Sequence, residues 1–513
     1  KMKNNNFLKD LFVLDMANNH FGNLSHAKKI VKSFSAVKKK YNINATIKFQ
    51  FRNLPDFVHK QYRSSDLKYV RRFLDTKLSD QDFFELFKYI KKNKFLTSCT
   101  PFDEKSVDKI EKFNFDFIKI ASVSALDFNL HERVVKNKIP KIISTGGISL
   151  DDIDKIVSFY SKKKQSFAIM HCVSIYPSRN EDLNLKFIQN LKSRYENLPI
   201  GWSTHEGPEE ILPGTIAQTF GASIFEKHIG INSKRFPLNK YSITPLLLDK
   251  WLENFYKSKQ MIGSINKKIF KEELKTINQL SRGVYAKMDL KKNSILNEQN
   301  TYFAIPYQKN QISSHELKKN TKIKKDILKD KPVMKKDVIF DKNLIYEYKL
   351  KSYLHKAKAM MNYNNIKVGN VFDLEMSHHK GVENFEKIGC FLFNIVNKEY
   401  AKKILVMLPN QIHPSHFHKS KSETFIILAG SLKLKDGKRK YDLYPGDRVD
   451  LQKSSWHEFR AGTDGCIFEE ISTTSFKKDS FYKNKKIKHL KRDERKTYID
   501  NWFELKIEKK IKT

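Results

Sequence analysis

Eight short apolar runs in the first 230 residues end in polar side chains that pack poorly in a core. Asp15 closes the first, with Asn18, Asn19 and His20 just beyond. Lys48 and Gln50 lie on the second, Thr97, Ser98 and Thr100 on the third, Lys119 and Ser122 on the fourth. Ser144-Thr145-Gly146 closes the fifth, and the sixth ends in His171 and Ser174. The seventh ends in Ser203 and His205, and the eighth holds Glu226, Lys227 and His228. Lysines among hydroxyls suit a small phosphorylated anion, because the ammonium supplies point charge while hydroxyls and backbone N–H groups supply direction. Histidines on neighbouring runs can share one divalent cation through imidazole nitrogen. Singly, each of these residues reads as a solvated lysine or a bonded core histidine. Eight runs carrying such groups at the same end argue for a site.

A second constellation lies far downstream. His416-Phe-His418-x4-Glu423-x6-Gly430 is followed by Gly446-x10-His457. Residues two apart on a strand face the same side, so His416 and His418 can point together. Glu423 is at an odd offset from His418, and Lys419-Ser-Lys-Ser422 must form a turn or bulge to bring it back inward. Three ligands from one hairpin and a fourth from a later strand make a compact divalent-metal site, suited to manganese, iron, zinc or nickel. The bland alternative is a ligand-free β-barrel with surface histidines.

The elements that position these residues follow from periodicity. The apolar runs 12–16, 45–49, 95–99, 117–121, 141–144, 168–172, 199–203 and 223–226 alternate with amphipathic stretches such as 26–37, 103–112, 150–160 and 208–219. Eight strands separated by helices predict an α/β (β/α)8 TIM barrel over residues 1–265, with chemistry at the carboxyl ends of the strands. An open doubly wound sheet competes, but no run leads into G-x-G-x-x-G. A Lys-rich linker is expected at 266–280 and a compact unit at 281–342. Residues 343–480 read as an antiparallel β-barrel, with strand pairs broken by Gly430, Gly437 and Gly446. Residues 481–513 read as a basic tail, of which 498–507 could cover a sheet edge.

Composition bounds the function. The 513 residues are 40% hydrophobic, enough for large cores. The net charge of +40 invites a nucleic-acid reading, but the lysines are spread along the whole chain, as on a solvated surface. No apolar run approaches the ~20 residues that cross a bilayer, and no secretory signal peptide is read. The four scattered cysteines fit free thiols in a reducing, cytoplasmic compartment.

Over residues 10–340 the motifs resemble those of the sialic acid synthase family. They are Asp15-Met-Ala-Asn-Asn-His-Phe-Gly22, Ile47-Lys-Phe-Gln50, Cys99-Thr-Pro-Phe-Asp103, Phe117-Ile-Lys-Ile-Ala-Ser122, Ser144-Thr-Gly146, His171-Cys-Val-Ser-Ile-Tyr-Pro177, Gly201-Trp-Ser-Thr-His205 and Phe225-Glu-Lys-His228. The resemblance implies an enzyme that condenses phosphoenolpyruvate with N-acetylmannosamine or a related aldose and releases phosphate. It implies that His205 and His228 ligate manganese or magnesium. Lys48, Thr100, Lys119, Ser122, Ser174 and Ser203 would hold phosphoenolpyruvate, while Gln50, Tyr176 and Glu226 face the sugar or reacting centre. Asp15 stands where the family usually has Glu. The 281–342 unit resembles the family's antifreeze-protein-like (SAF) domain, with Ser281-Arg-Gly-Val284 where Arg-Arg-Ser is usual. A domain-swapped homodimer with Arg282 on the partner's sugar is implied. Two departures stand out. Thr204 replaces the Asp before the metal-binding His, and Leu238 stands in for a sugar-binding Asp, while Lys240 and Ser242 are retained. Residues 400–475 resemble a cupin with His416, His418, Glu423 and His457 on a second divalent metal. Gln452-Lys-Ser454 stands where Pro-x-Gly is usual. The cupin would epimerise or isomerise a sugar, or only bind it. A metal-dependent sugar aldolase or lyase, and a weakly catalytic sugar-binding protein, are the rival functions.

Overall fold

The computed structural model describes residues 8, 10–369 and 372–499. The chain divides into two compact units, one ending at Lys267 and one beginning at Lys268.

The first unit is a closed barrel of eight parallel strands in sequential order: β1 (Leu11–Asp15), β2 (Asn44–Phe51), β3 (Leu96–Pro101), β4 (Phe117–Ile120), β5 (Lys141–Ser144), β6 (Phe167–Cys172), β7 (Ile200–Ser203) and β8 (Ile224–His228). Every apolar run of the sequence is one of these strands. Alternation explains where the polar groups go. Leu11 and Val13 of β1, Phe117 of β4, Ala168 and Met170 of β6 and Ile224 of β8 form one buried apolar cluster. Two residues further along the same faces come Asp15, Lys119 and Glu226, with His228 beyond. The barrel therefore has an apolar floor and a charged mouth. Register places Asp15 opposite both Lys48 and His228. The outward rows pack under the helices, as Phe12 and Phe225 do against Trp251 and Phe255 of the helix Pro245–Ile262.

The second unit begins with an exposed helix, Lys271–Leu280, in the expected linker. Next come the short pairs β9 (Gly283–Ala286) with β10 (Thr301–Ala304), and β11 (Lys322–Ile323) with β12 (Val338–Ile339), around Val284, Ile312, Ile323 and Val333.

The helix Lys342–Tyr363 then lays Leu350, Leu354, Ala357 and Met361 on a sheet core that includes Phe391, Val406 and Ile467. That spacing is one face of a helix. The sheet runs β13 (Asp373–Ser377), β14 (Cys390–Asn397), β15 (Tyr400–Met407), β16 (Ile412–Phe417), β17 (Glu423–Asp436), β18 (Arg439–Leu443), β19 (Arg448–Leu451), β20 (His457–Thr473), β21 (Phe481–Tyr482) and β22 (Lys496–Ile499). The long antiparallel pair β17–β20 is its spine, and β16 pairs with β20.

One boundary needs correcting. The described part of the expected tail, through Ile499, is built into this domain: β21 pairs with β16 and β22 with β13. Tyr482, Ile487 and Ile499 are buried anchors that a lysine-rich composition hides. Residues 500–513 of the expected tail, and most of its 498–507 stretch, lie outside the described residues.

Candidate functional sites

At the barrel mouth four charged side chains interlock. Lys48 Nζ lies 3.0 Å from Asp15 Oδ2 and donates to Glu226 Oε1 at 2.7 Å. Lys119 Nζ is 3.4 Å from Glu226 Oε2 and also donates to Ser144 Oγ. All four are buried. Burial raises the Glu226 carboxyl, but Lys119 and Lys48 outweigh it and hold the group down at about 2. Burial opposes the Lys48 charge, yet Asp15 and Glu226 outweigh that too and raise its pKa. For Asp15, burial wins over Lys48 and the direction is upward. The hydroxyls gather alongside. Ser122 Oγ accepts from Gly146 N at 3.0 Å, and a Cβ at Gly146 would lie 2.5 Å from Ser174 Oγ and 2.8 Å from Ser122 Oγ, so any side chain here would displace both hydroxyls. Thr100 Oγ1 is buried without a hydrogen-bond partner among the described residues.

The two histidines sit at the same mouth with ring centroids 5.3 Å apart. His205 Nδ1 lies 2.7 Å from the Val173 carbonyl oxygen, which can only accept, so Nε2 keeps its lone pair. Burial, helped by the mutual repulsion of the two rings, pushes His205 down to about 3, and burial also brings His228 to about 3. Neutral imidazoles with free lone pairs, and Asp15 Oδ2 3.3 Å from His228 Nδ1, form a donor set that fits a divalent cation.

Not every strand-end residue joins this mouth. Thr97 faces outward and donates to Asp116. His171 binds the Leu183 carbonyl through Nε2 at 2.7 Å, with its ring against Phe187, and so anchors a loop. Lys227 faces outward and pairs with the fully buried Glu206, which also accepts from Thr204 Oγ1 at 2.5 Å. On the open side, Gln50 accepts from Arg52 at 2.8 Å, and Tyr176 lies 4.2 Å from the His205 ring. Asn19 donates to Ser242. Half-buried Leu238 places its Cδ1 2.4 Å from where a Cβ on Gly230 would stand, so apolar contact occupies that position. Tyr241, 5.1 Å from the His228 ring, and Glu206 belong to this neighbourhood, and no motif spacing marked them. Arg282, in the second unit, is exposed, with its guanidinium over Phe303.

The cupin-like domain holds a denser cluster. His416, His418 and His457 are buried with ligand atoms within 4.8 Å of one another. Glu423 oxygens lie 3.5 Å from His418 Nε2 and 3.4 Å from His457 Nε2, and His416 and His457 Nε2 are 3.1 Å apart. Each Nδ1 faces a backbone carbonyl: Pro414 for His416, Ser455 for His457, Asp479 for His418. The Nε2 lone pairs therefore face one another and a carboxylate, an arrangement that a cation relieves. Burial first, then the neighbouring imidazoles, hold His416 well below the ordinary histidine range. The odd offset of Glu423 is resolved by a turn after Phe417, where Lys419 N and Ser420 N donate to the Asp479 carboxylate at 2.8 and 2.9 Å.

His416, His418 and Glu423 line a cavity of about 140 Å³. Its wall carries a charge network that the sequence did not announce. Glu470 Oε1 takes both Lys421 (2.6 Å) and Lys403 (3.1 Å), and Lys421 also reaches Glu423 at 2.5 Å. Glu375 is clamped by Arg492 at 2.8 and 3.0 Å and by Lys496 at 2.5 Å.

Family models match both the barrel and the sheet domain. The NeuB family model matches residues 36–267, the cupin domain model 403–469 and the D-lyxose isomerase model 346–435. An uncharacterized protein of Methanocaldococcus jannaschii is 31% identical over 310 residues, 60% of this chain and 88% of that protein. The N,N'-diacetyllegionaminic acid synthase of Campylobacter jejuni is 28% identical over 57% of this chain and 89% of its own length. A crystal structure of a spore coat polysaccharide biosynthesis protein E from Chromobacterium violaceum superposes with TM-score 0.60 at 35% identity, covering 65% of this chain and 100% of that one.

Proposed function

The chain belongs to the NeuB family, and on that premise we propose that its barrel joins phosphoenolpyruvate to a six-carbon aldose, making a nonulosonic acid and releasing phosphate. The observation that carries this reading is the buried Lys48–Asp15–Glu226–Lys119 quartet beside two neutral histidines.

Lys48 and Lys119 hold the anionic phosphoenolpyruvate, with Ser122, Ser174, Ser203, Thr100 and the Gly146 turn directing its oxygens. His205 and His228 would hold manganese or magnesium, which supplies Lewis-acid polarisation of the aldehyde oxygen when bound. The terminal methylene carbon of phosphoenolpyruvate attacks the aldehyde carbon and forms the new C–C bond, which leaves positive charge on the adjacent carbon that carries the phosphate. Water adds to that carbon, and its C–O bond to phosphate breaks. Glu226, kept ionised between two lysines, and Asp15 face this centre. They stabilise the developing charge or take the proton of the water. Gln50 and Tyr176 face the sugar. Leu238, where the family's sugar-binding Asp is absent, favours an acceptor with an apolar substituent over plain N-acetylmannosamine.

In the cupin-like domain, His416, His418, Glu423 and His457 would hold a second divalent metal. The match to a D-lyxose isomerase model supports a sugar as its ligand. We place the enzyme in the cytoplasm: its four cysteines are buried free thiols, and no described helix is long and apolar enough to cross a membrane. A swapped homodimer, with Arg282 on the partner's sugar, completes the proposal.

The test is a screen of phosphoenolpyruvate against hexosamines and diacetamido-deoxyhexoses, following phosphate and product mass. Phosphate release that requires both substrates supports the synthase. Turnover of an aldose with pyruvate alone would replace it with an aldolase.

A further inference from the structure

The charge network around the cupin cavity is not explained by metal binding. Five cations, Lys403, Lys421, Lys477, Arg492 and Lys496, line the cavity with four carboxylates, Asp373, Glu375, Glu423 and Glu470, so the lining carries excess positive charge before any metal is counted. Lys403, Lys421 and Lys496 are buried or nearly so. An ammonium taken out of water is costly unless fully paired. Here Glu375 is shared by two cations and Glu470 by two more, so neither pair is closed. Burial first, with Arg492 and Lys403 adding to it, brings Lys496 down to about 8 despite Glu375. Phe459, Leu405 and Phe425 give the same cavity an apolar side on which the C–H face of a pyranose can rest. Lys496 and Arg492 come from the segment 481–499, so the fold recruits its C-terminal part to build this wall.

We propose that the cupin cavity takes an anionic monosaccharide, its carboxylate or phosphate held by Lys403, Arg492 and Lys496 while hydroxyls turn toward the His416–His418–Glu423–His457 set. This rests on the reading of the domain as a sugar site and deepens it by giving the charge of the ligand. A sugar acid and a sugar phosphate present the same chemistry to these cations, and the experiment separates them.

The test is calorimetric titration of the full-length protein carrying Lys48→Ala and Lys119→Ala, which takes both lysines from the barrel mouth. The probes are N-acetylneuraminate, N-acetylmannosamine 6-phosphate and neutral N-acetylmannosamine, each with and without added manganese. An anionic probe should bind roughly tenfold or more tightly than the neutral sugar, because charge-assisted hydrogen bonds to buried cations are the strong ones. Preference for the carboxylate identifies a sugar acid, and preference for the phosphate a sugar phosphate. Lys496→Gln should weaken that probe about tenfold or more, and Lys496→Arg should retain it. Circular dichroism melts verify that each variant is folded, and Arg492→Gln, at a less buried position, repeats the test. Equal affinity for charged and neutral probes, or unchanged affinity in folded Lys496→Gln and Arg492→Gln, overturns the proposal. Metal content measured in parallel keeps the failures apart. Charge-selective binding without bound metal sinks the metal reading alone, and bound metal without charge selectivity sinks this one.

Discussion

Glu206 shows what a single residue can do outside any motif. Thr204 stands where the resemblance expects a carboxylate before His205, the proposed metal ligand, yet Glu206 supplies one two positions on, bonded to Thr204 and paired with Lys227. Thr204 and Glu206 flank His205, and Lys227 precedes His228, so this buried pair ties together the two strand ends that carry the histidines. Glu206→Thr should leave Lys227 buried and unpaired, costing about 3–5 kcal/mol of stability. It should also weaken metal binding about tenfold or more through misaligned ligands. Adding Thr204→Asp to that variant should recover much of both, by denaturant titration and metal affinity. A double variant no better than the single would end the idea that the carboxylate has moved by two positions. Such compensation could not be read from spacing, because Glu206 is legible only once Lys227 is seen to face outward. The quartet was legible, since Asp15, Lys119 and Glu226 each stand two residues beyond an inward apolar residue, Val13, Phe117 and Ile224, and Lys48 is a charged residue on an otherwise buried strand. The cupin wall was not, because Lys403, Lys421, Glu470 and Lys496 come from separate strands or turns and meet only in space.

At the scale of elements, periodicity located all eight barrel strands and composition misread one segment. Strands declare themselves by apolar runs, whereas 481–499 holds its place with a few apolar anchors among lysines and by pairing with β13 and β16. The floor of the barrel offers a separate test. Lys141 opens β5 fully buried, donating to Asn137 O and Gln165 Oε1 at 2.7 Å each. Burial, with Lys138 nearby, lowers its pKa from 10.5 to about 7. Between those values the unfolded chain holds a proton that the folded chain has released, so stability rises with pH across that window, and the cost is fully present below about pH 7. Lys141→Met should remove this dependence, flattening the curve of unfolding free energy between pH 7.5 and 9.5 relative to the parent. Parallel curves would show that the amine is not desolvated as the geometry implies. The helix Lys342–Tyr363 gives a packing test. Leu354 is fully buried against the cupin core, so Leu354→Ala should cost about 2–5 kcal/mol in the melting of the second unit. It should leave the barrel's transition where it was. A shift in the barrel's transition alone would contradict the packing assignment.

At the scale of the whole molecule, two units carry two histidine sets of different construction. The barrel pair is open on one side to Tyr176 and Tyr241 and has few protein donors, as suits a cation that must also accept a substrate oxygen. The cupin set brings three imidazoles and a carboxylate into one buried cluster and should hold its ion more tightly. Graded chelation therefore ought to separate them. A weak chelator should strip the barrel first and abolish phosphate release while the cupin ion stays bound. Only a strong chelator at low pH should remove the second, because protonating buried imidazoles competes with the metal. His228→Ala should lose the weakly held ion and turnover together. His416→Ala, paired with His457→Ala, should lose the tightly held one. Metal content per chain, read by elemental analysis beside the phosphate assay, decides it. If both ions leave in one step, or if His416→Ala empties the barrel, the two sites are not independent and the division of labour between the units is wrong.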